Sequence, residues 1–248
     1  MNGQRQHRGP HPKDRELFAP AHHAALRTAV EEYSWLLGRG YAEPSALKLV
    51  GDRHNLTARQ RTAVQRSACS DAALASRRRR RVALGAEPGR ALGIDGHNLL
   101  ITLESAISGA VVLVGRDGCC RDLASVHGTY RRVQETGRAI ALVAEHVAAC
   151  HVGRVDWYLD RPVSNSGLLR GLIERVVGAE PAARAQTHRV ELADDPDRLL
   201  GAYQGCVASG DSWILDRCGN WASLAQEIVR AHVPAAWIVS LGPAGNDE

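Results

Sequence analysis

The spacing of apolar residues predicts that the first part of the chain is helical. Over residues 14–37, apolar side chains recur at three- and four-residue steps, as they do on one face of an amphipathic helix. A second helix is predicted with Ser45 as its N-cap, and an arginine-rich helix is predicted to begin after Thr57, another favourable N-cap residue. Residues 14–85 are therefore expected to form a small basic helical bundle, preceded by a disordered tail over residues 1–13.

The pattern changes after "GAEPGR", residues 85–90, which is the expected linker. Short apolar runs then alternate with helical stretches, and the runs that predict strands are "RALGID", "RVDWYLD", "THRVELA", "GCVASGD" and "AAWIVSL". The stretch "AVVLVGRDGCCRDLA" predicts two more strands joined by a turn, in the manner of a hairpin. This alternation predicts an α/β domain over residues 91–242, with a mainly parallel sheet and helices on both of its faces.

Composition narrows the class of protein. Hydrophobic residues make up 44% of the chain and aromatic residues only 4%, so a sizeable core is expected to consist mainly of Ala, Val, Leu and Ile. No segment approaches the ~18 apolar residues of a membrane span, and the N-terminus lacks the apolar core of a signal peptide. The six cysteines show no CxxC spacing. We therefore expect a cytoplasmic protein with reduced thiols and no membrane partner.

The net charge of +4 conceals an uneven distribution of charge. Residues 1–90 carry 17 basic and 8 acidic residues, whereas residues 91–248 carry 14 basic and 19 acidic ones. Such asymmetry suggests that the first part docks on a polyanion, and RNA is the partner we expect. The candidate phosphate contacts are Arg53, Arg59, Arg61, Arg66 and the run Arg77–Arg81. An ordinary solvated helix face with a flexible tether would show the same pattern, so both interpretations stay open.

Three of the predicted strands end on an aspartate or are followed at once by one: Asp95, Asp160 and Asp211. Because the carboxyl ends of parallel strands lie at one edge of a sheet, these carboxylates are expected to meet there. Such a cluster repels itself unless a cation neutralises it, and Mg²⁺ and Mn²⁺ favour carboxylate and water oxygens. The alternative is that each aspartate only caps the following helix or initiates a turn.

Other polar residues near these strand ends are candidates to complete the site. Asn98 would orient a water molecule or a phosphate, and Glu104 or Asp216 would supply a fourth carboxylate. The candidates for phosphate binding are Ser164, Ser209 and Ser212. Each of these residues also suits a turn, a helix cap or a solvated helix face, so the structural alternative stays open for all of them.

Histidines and cysteines give weaker indications. The loop "SVHGTYRR" combines polar, aromatic and cationic groups, so His127, Tyr130 and Arg131 are candidates to contact RNA. His97 lies beside the first aspartate and is interpreted either as an acid or ligand or as an exposed loop histidine. No cysteine pair has zinc spacing, so the sequence does not predict a metal site built from histidine and cysteine.

The motifs resemble those of a known class of nucleases. "IDGHNLL" resembles the first motif of the PIN-like nucleases, especially the NYN branch, in which an Asp-Gly-x-Asn element ends the first strand. "ASGDSWILDR" is similar to their late motif, and "YLDRPVSNSG" lies where a middle acidic residue is expected. This resemblance covers residues 91–240, and over residues 14–240 the chain also resembles a family of bacterial and archaeal proteins of unknown function.

The nuclease resemblance implies a PIN-like, Rossmann-like fold and metal-dependent hydrolysis of RNA. Asp95, Asp160 and Asp211 would hold one or two Mg²⁺ or Mn²⁺ ions that activate water, and Asn98 would assist them in catalysis. Since PIN-like proteins often pair, the resemblance also implies a homodimer.

Three functions fit these patterns. The first is a metal-dependent ribonuclease with a basic docking module, and the second is a catalytically inactive RNA-binding or scaffold protein with a PIN-like fold. The third is a Mg²⁺-dependent α/β enzyme acting on a phosphorylated small molecule. The chain contains no GxxxxGK[ST] motif, and no GxGxxG follows a predicted strand, which argues against nucleotide-cofactor enzymes. We favour the ribonuclease.

Overall fold

The computed structural model describes residues 7–124 and 130–242 of the chain. Its helices are α1 (Asp14–Leu17), α2 (Pro20–Gly38), α3 (Glu43–Arg53), α4 (Ala58–Ser67), α5 (Asp71–Arg80), α6 (Gly96–Ile107), α7 (Thr136–Ala149), α8 (Ser166–Ala179), α9 (Pro196–Gly201), α10 (Ser212–Arg217) and α11 (Leu224–His232). Its strands are β1 (Ala91–Asp95), β2 (Val112–Val114), β3 (Cys120–Asp122), β4 (Arg154–Asp160), β5 (Thr187–Ala193), β6 (Cys206–Ala208), β7 (Asn220–Trp221) and β8 (Ile238–Ser240). None of these helices is both long enough and apolar enough to span a bilayer.

A five-stranded sheet forms the centre of the second part of the chain. Its strand order is β5–β4–β1–β6–β7, and every pair of neighbours is parallel. β1 lies in the middle, where Leu92 is paired with Val155 of β4 on one side and with Cys206 of β6 on the other. The predicted parallel α/β architecture is thus confirmed, in the arrangement of a Rossmann-like fold.

Hydrophobic clusters cover both faces of this sheet. On one face, Ile94 and Trp157 pack among residues of α6, α7, α8 and α11. On the other face, Val207 and Trp221 pack with residues of α9 and α10. Because both faces are covered, the central strands are continuous apolar runs, which is why the sequence predicts them well.

The predicted hairpin forms, and it belongs to a second sheet. β2 and β3 are antiparallel, and β8 pairs with β2 in parallel, which gives the order β3–β2–β8. Successive side chains of a strand point to opposite faces. Val112 and Val114 accordingly join the core of the main sheet, whereas Leu113 joins the core formed by the N-terminal helices. The second sheet therefore separates two hydrophobic cores and packs against both. The last predicted strand, "AAWIVSL", contains β8 and belongs to this sheet.

The arginine-rich segment differs from the prediction. Thr57 caps α4 as expected, because its hydroxyl accepts from the backbone of Gln60 while the Gln60 side chain accepts from the backbone of Thr57. The prediction of one continuous helix from this point is wrong. The chain is extended at Ala68, and Ser70 caps a new helix, α5. This separate helix contains Arg77–Arg80.

A buried charge cluster joins α5 to the second sheet. Asp117, in the turn between β2 and β3, accepts from Arg77 at 2.7 Å and from Arg121 at 2.9 and 2.7 Å. All three side chains are buried. Burial alone would raise the pKa of Asp117, but the guanidinium groups of Arg121 and Arg77 outweigh it and hold that pKa well below its usual range. The carboxylate is therefore ionised, and both cations depend on it.

The same two arginines also donate hydrogen bonds to the β6–α10 loop and to α10. Arg77 donates to the carboxylate of Asp216 at 2.7 Å and to the carbonyl of Ser212 at 3.2 Å. Arg121 donates to the carbonyl of Gly210 at 2.7 Å. The N-terminal helices and the second sheet are in this way connected to the carboxyl end of the main sheet.

We predict that Asp117→Asn destabilises the protein by about 3–5 kcal/mol, because it leaves the buried Arg121 guanidinium group without its carboxylate partner and leaves Arg77 paired with Asp216 alone. Urea denaturation followed by circular dichroism at pH 7 measures this loss. The stability that wild-type Asp117 contributes is present above its unfolded pKa of about 4 and is lost as the pH falls below that value.

Asp71→Asn is the matched control. Asp71 is exposed and pairs with Arg116 at 2.6 Å on the protein surface. Since surface pairs contribute about 0–1 kcal/mol, the control should remain close to the wild type. Equal stability of the two variants would show that the buried cluster is not the connection described here.

Candidate functional site

Three aspartates lie at the carboxyl ends of three neighbouring strands. Asp95 ends β1, Asp160 ends β4, and Asp211 follows β6 by three residues. In the sheet β1 is flanked by β4 and β6, and all three strands run in the same direction. The structure therefore brings these three residues to one edge of the sheet, which we call the aspartate edge.

The turn from β1 into α6 is built around Asp95. Its carboxylate caps α6 by accepting from the backbone of Asn98 at 3.3 Å, and its other oxygen accepts from the Ser209 hydroxyl at 2.8 Å. Gly96 follows because a Cβ there would lie 2.5 Å from the Leu159 side chain. The Asp-Gly pair thus combines a helix cap with a close approach of α6 to β4.

The turn from β6 into α10 is joined to the first turn by two hydrogen bonds. The Asn98 amide oxygen accepts from the backbone of Gly210 at 2.7 Å, and the Ser209 hydroxyl donates to Asp95 at 2.8 Å. Within the second turn, the same hydroxyl accepts from the backbone of Asp211 at 2.9 Å. One oxygen of Asp211 caps α10 through Trp213 at 2.7 Å. Asn98 and Ser209 therefore hold the two turns together, and both residues are engaged within the chain.

His97 is a buried residue that orients Asp160. Its Nδ1 lies 2.9 Å from a carboxylate oxygen of Asp160, and its Nε2 lies 3.3 Å from the Ser166 hydroxyl. The ring also contacts Tyr130, with the ring centroids 5.4 Å apart. The exposed-loop interpretation of His97 is therefore wrong, and the residue acts here by positioning a carboxylate.

A fourth aspartate, Asp197, belongs to the same edge, and the sequence interpretation missed it. It lies in the first turn of α9, which follows β5, and it interacts electrostatically with Asp95, Asp160 and Asp211. The stretch "DDPDRLL" after a predicted strand carries the same signal as the other three positions. The sequence does not show which of its three aspartates lies near the other carboxylates. In the structure Asp195 caps the helix, and the charges of Asp211 and Asp160 act on Asp197.

The two other candidates for a fourth carboxylate have different roles. Glu104 is fully buried on α6, where Arg8 pairs with it at 2.7 Å and where the hydroxyls of Tyr130 and Thr136 donate to it. Asp216 pairs with Arg77 in the charge cluster described above. Neither is bonded to a residue of the aspartate edge, whereas the charge of Asp197 acts on Asp95.

Crowding of carboxylates changes their acidity. Burial, together with the charges of Asp197 and Asp211, raises the pKa of Asp95 to about 7, although the Ser209 hydroxyl and the Asn98 amide oppose this. Partial desolvation and the charges of Asp211 and Asp160 raise the pKa of Asp197 to about 6. Without a cation, these two groups are therefore only partly ionised at neutral pH.

The residues expected to contact RNA are mostly engaged elsewhere. Each of the four candidate arginines on α3 and α4 has a carboxylate partner within the chain. The pairs are Arg53 with Glu32, Arg59 with Asp14, Arg61 with Asp52 and Arg66 with Asp122. The Asp14 carboxylate is fully buried. These arginines therefore stabilise the fold, and their charges are partly neutralised.

The loop candidates give a mixed result. His127 lies outside the described residues. Tyr130 is fully buried against Glu104, so it presents no face on which a base could stack, and its assignment to RNA contact is wrong. Arg131 is exposed, as are Ser164 and Ser212, which leaves their proposed contacts with RNA and phosphate as predictions.

A cleft of about 720 Å³ adjoins the aspartate edge. Asn98, Gly210 and Asp211 form part of its wall on the main sheet, whereas Tyr41 and Gln65 line it from the N-terminal helices. Arg66, Arg77 and Arg121 also line it. The cleft is thus bordered by both parts of the chain, and carboxylates and guanidinium groups share its surface.

The four aspartates can be compared with what a metal ion requires. Among the described residues, no three of them bring carboxylate oxygens within 4.8 Å of one another. This spacing does not suit an ion enclosed by protein ligands. Mg²⁺ keeps several waters and binds through one or two carboxylates, so it does not require such a group. The donor set, carboxylate oxygens alone, is the chemistry that Mg²⁺ and Mn²⁺ prefer.

Comparison with known proteins places the chain in a family. The chain belongs to the family described as Domain of unknown function (DUF5616), whose model matches residues 86–227. The model described as Protein of unknown function (DUF434) matches residues 25–80. The uncharacterized protein MJ0935 of Methanocaldococcus jannaschii is 32% identical over 145 residues, which cover 58% of this chain and 69% of that protein. No solved structure matches the chain.

We predict that Asp95→Asn stabilises the metal-free protein at pH 8 by up to about 3 kcal/mol. The pKa of Asp95 is raised in the folded state, so ionisation of this carboxyl destabilises the fold progressively as the pH rises from about 4 to about 7. An amide can still cap α6 and carries no charge. The difference between variant and wild type should therefore vanish near pH 4.

Thermal unfolding across this pH range, in buffer with a chelator, measures the effect. Asp194→Asn is the control, since Asp194 is exposed in the loop before α9 and pairs with Arg161 at 3.1 Å. A pH-independent difference for Asp95→Asn, or none at all, would show that Asp95 carries no electrostatic strain.

Proposed function

We propose that this protein is a metal-dependent ribonuclease whose active site is the aspartate edge. The observation that carries the proposal is the meeting of Asp95, Asp160, Asp197 and Asp211 at the carboxyl ends of parallel strands. In open α/β sheets this is the edge at which ligands bind. Carboxylates crowded at the expense of stability also mark a functional site, because their charge has no use for the fold itself.

Asp95 and Asp211 are the residues that we expect to hold the ion. The two turns that carry them are fixed to each other through Asn98 and Ser209, and their charges already interact. Asp160 and Asp197 flank this pair, and His97 keeps Asp160 oriented. A bound Mg²⁺ or Mn²⁺ ion would supply activation of water and neutralisation of the charge that builds on the phosphate.

The approach of RNA is supported by the surface next to Asp211. Trp213 is 41% exposed and follows this aspartate by two residues, with the guanidinium group of Arg217 4.0 Å from its ring centroid. The guanidinium group lies over one face of the ring, so a single-stranded base would stack on this pair of Trp213 and Arg217. On the other side, Tyr41 is 54% exposed and lines the cleft.

Of the arginine run, Arg78 and Arg79 are the residues that remain for phosphate. Arg77 is buried in the charge cluster, Arg80 donates to carbonyls of α10, and Arg81 is bonded to Gln226. Arg78 and Arg79 are exposed, and the described residues include no partner for either. Three arginines of the run therefore make contacts within the protein, and the other two, Arg78 and Arg79, are available to a phosphate.

We predict that Asp95→Asn and Asp211→Asn each abolish Mn²⁺-dependent cleavage of single-stranded RNA, with a loss of at least a hundredfold. Removal of the metal with a chelator should do the same. Wild-type activity should rise with pH up to about 7, because Asp95 must be ionised to hold the cation and its pKa lies near that value. Gel analysis of a labelled RNA of mixed sequence measures the cleavage.

Asp194→Asn again serves as the control and should cleave at the wild-type rate. Equal cleavage by wild type and Asp95→Asn would show that the activity is a contaminant or belongs to another site. Absence of cleavage by the wild type at millimolar Mn²⁺ would contradict the proposal.

We further predict that Arg78→Ser/Arg79→Ser weakens RNA binding and lowers the salt dependence of the binding constant. Two phosphate contacts on a single strand account for a change of about 1.4 in the logarithmic slope. Fluorescence anisotropy at several salt concentrations measures it. The control is Arg170→Ser/Arg175→Ser, which removes the same charge from exposed positions on α8. Equal slopes for the two double variants would show that α5 does not contact the strand.

A second candidate function is RNA binding without catalysis. The observation that favours it is the spacing of the aspartates, since no three of them approach within 4.8 Å among the described residues. In that case the Arg78/Arg79 variant would still bind RNA more weakly, while no condition would produce cleavage. The two experiments together distinguish the candidates.

A further inference from the structure

A second group of metal-binding side chains lies between α7 and α11. His146 and Cys150 are on α7 at positions i and i+4, and Glu227 is on α11. One ligand atom from each lies within 4.8 Å of the other two, and among the described residues this is the only such group of three. His146 Nε2 is 3.2 Å from the carboxylate of Glu227. The three donors therefore already converge on one point.

A fourth donor is adjacent to this group. The ring of His232, at the end of α11, lies 5.9 Å from the ring of His146 between centroids, and the planes are at 84°. Two imidazoles bound to one zinc ion by bonds of about 2.0–2.1 Å, at a tetrahedral angle, have centroids about 5 Å apart. The observed separation is close to that value. His232 lies outside the group whose ligand atoms are within 4.8 Å of one another, so its side chain would have to rotate to supply a fourth ligand.

The group is remote from the aspartate edge. Cys150 precedes β4 by four residues, so α7 ends at the amino-terminal edge of the main sheet. The charge of Glu227 also acts on Cys206, the first residue of β6, which places it at the same edge. Asp95 lies at the opposite end of β1, a five-residue strand about 16 Å long. The two groups are therefore independent sites.

The donor chemistry also differs between the two sites. Imidazole nitrogen and thiolate sulfur suit Zn²⁺, whereas Mg²⁺ takes oxygen ligands. Cys150 is a free thiol and is only partly buried. The i, i+4 spacing places His146 and Cys150 one above the other on a single helix face. No short sequence motif shows this group, because half of it comes from a distant helix.

We propose that His146, Cys150, Glu227 and His232 form a zinc site that fixes α11 to α7. Four protein ligands close the coordination sphere, which is the arrangement of a structural site. Its consequence is local: α11 leads directly into the strand β8, so the ion would hold the connection between the main sheet and the second sheet. The proposal does not depend on the proposed function.

Titration of the metal-free full chain with Zn²⁺ and with Co²⁺ tests this site. The protein is prepared without a metal-affinity tag, and the metals are added alone. We expect one equivalent of Zn²⁺ by calorimetry and native mass spectrometry. Co²⁺ should give the near-ultraviolet charge-transfer band of a thiolate ligand. Bound Zn²⁺ should raise the melting temperature by mass action.

Variants locate the ion. Cys150→Ser should lose the charge-transfer band, and Cys150→Ser and His232→Ala should each lower the Zn²⁺ affinity at least tenfold. Glu227→Gln, which keeps the shape of the side chain, repeats the test if either variant fails to fold. His151→Asn is the control, because His151 is the exposed neighbour of Cys150 and its φ of 54° is tolerated by asparagine.

Three results would overturn the proposal. The first is absence of Zn²⁺ binding by the wild type at micromolar metal, which would leave an ordinary His146–Glu227 pair. The second is unchanged affinity in the ligand variants, which would assign the ion to other residues. The third is loss of Zn²⁺ binding in Asp95→Asn/Asp211→Asn, which would assign it to the aspartate edge.

Discussion

Asp117 lies buried between the guanidinium groups of Arg77 and Arg121, and the placement of three parts of the molecule depends on this contact. Arg77 belongs to α5, Arg121 belongs to the second sheet, and both continue to the loop between β6 and α10. A buried ion set is costly unless every partner is in place, so it tolerates little displacement. Arg77 and Arg121 line the cleft beside Asp211, so residues outside the main sheet form part of its surface.

The aspartate edge shows the opposite use of charge. There the carboxylates repel one another, and the side chains of Asn98, Ser209 and His97 hold them in position. Residues that the motif suggested as direct participants thus serve mainly as supports. One set of acidic residues stabilises the fold because cations surround it, whereas the other lowers stability because, in the part of the chain that the structure describes, no lysine or arginine pairs with it.

Much of the fold follows from the sequence, because β1 and β6 are short apolar runs and β4 and β5 alternate apolar with polar residues. "RVDWYLD" and "THRVELA" coincide with β4 and β5, and the rule that strand ends converge brings three aspartates together. Partners distant in the chain were not predictable. The turn residue Asp117, the fourth carboxylate Asp197 and the acidic partners of the arginines acquire their roles only through tertiary contacts. Periodicity also gave no indication that β8 leaves the main sheet.

The second sheet has a consequence for how the chain folds. Its central strand, β2, pairs with β8 through residues as far apart as Val112 and Ile238, and both faces of β2 belong to a core. Contacts of such large sequence separation form slowly, because the entropy of closing a long loop is lost before the contact stabilises it. During synthesis, the core of the N-terminal helices therefore stays open on one side until β8 has left the ribosome. These helices are made well before the strand that closes their core.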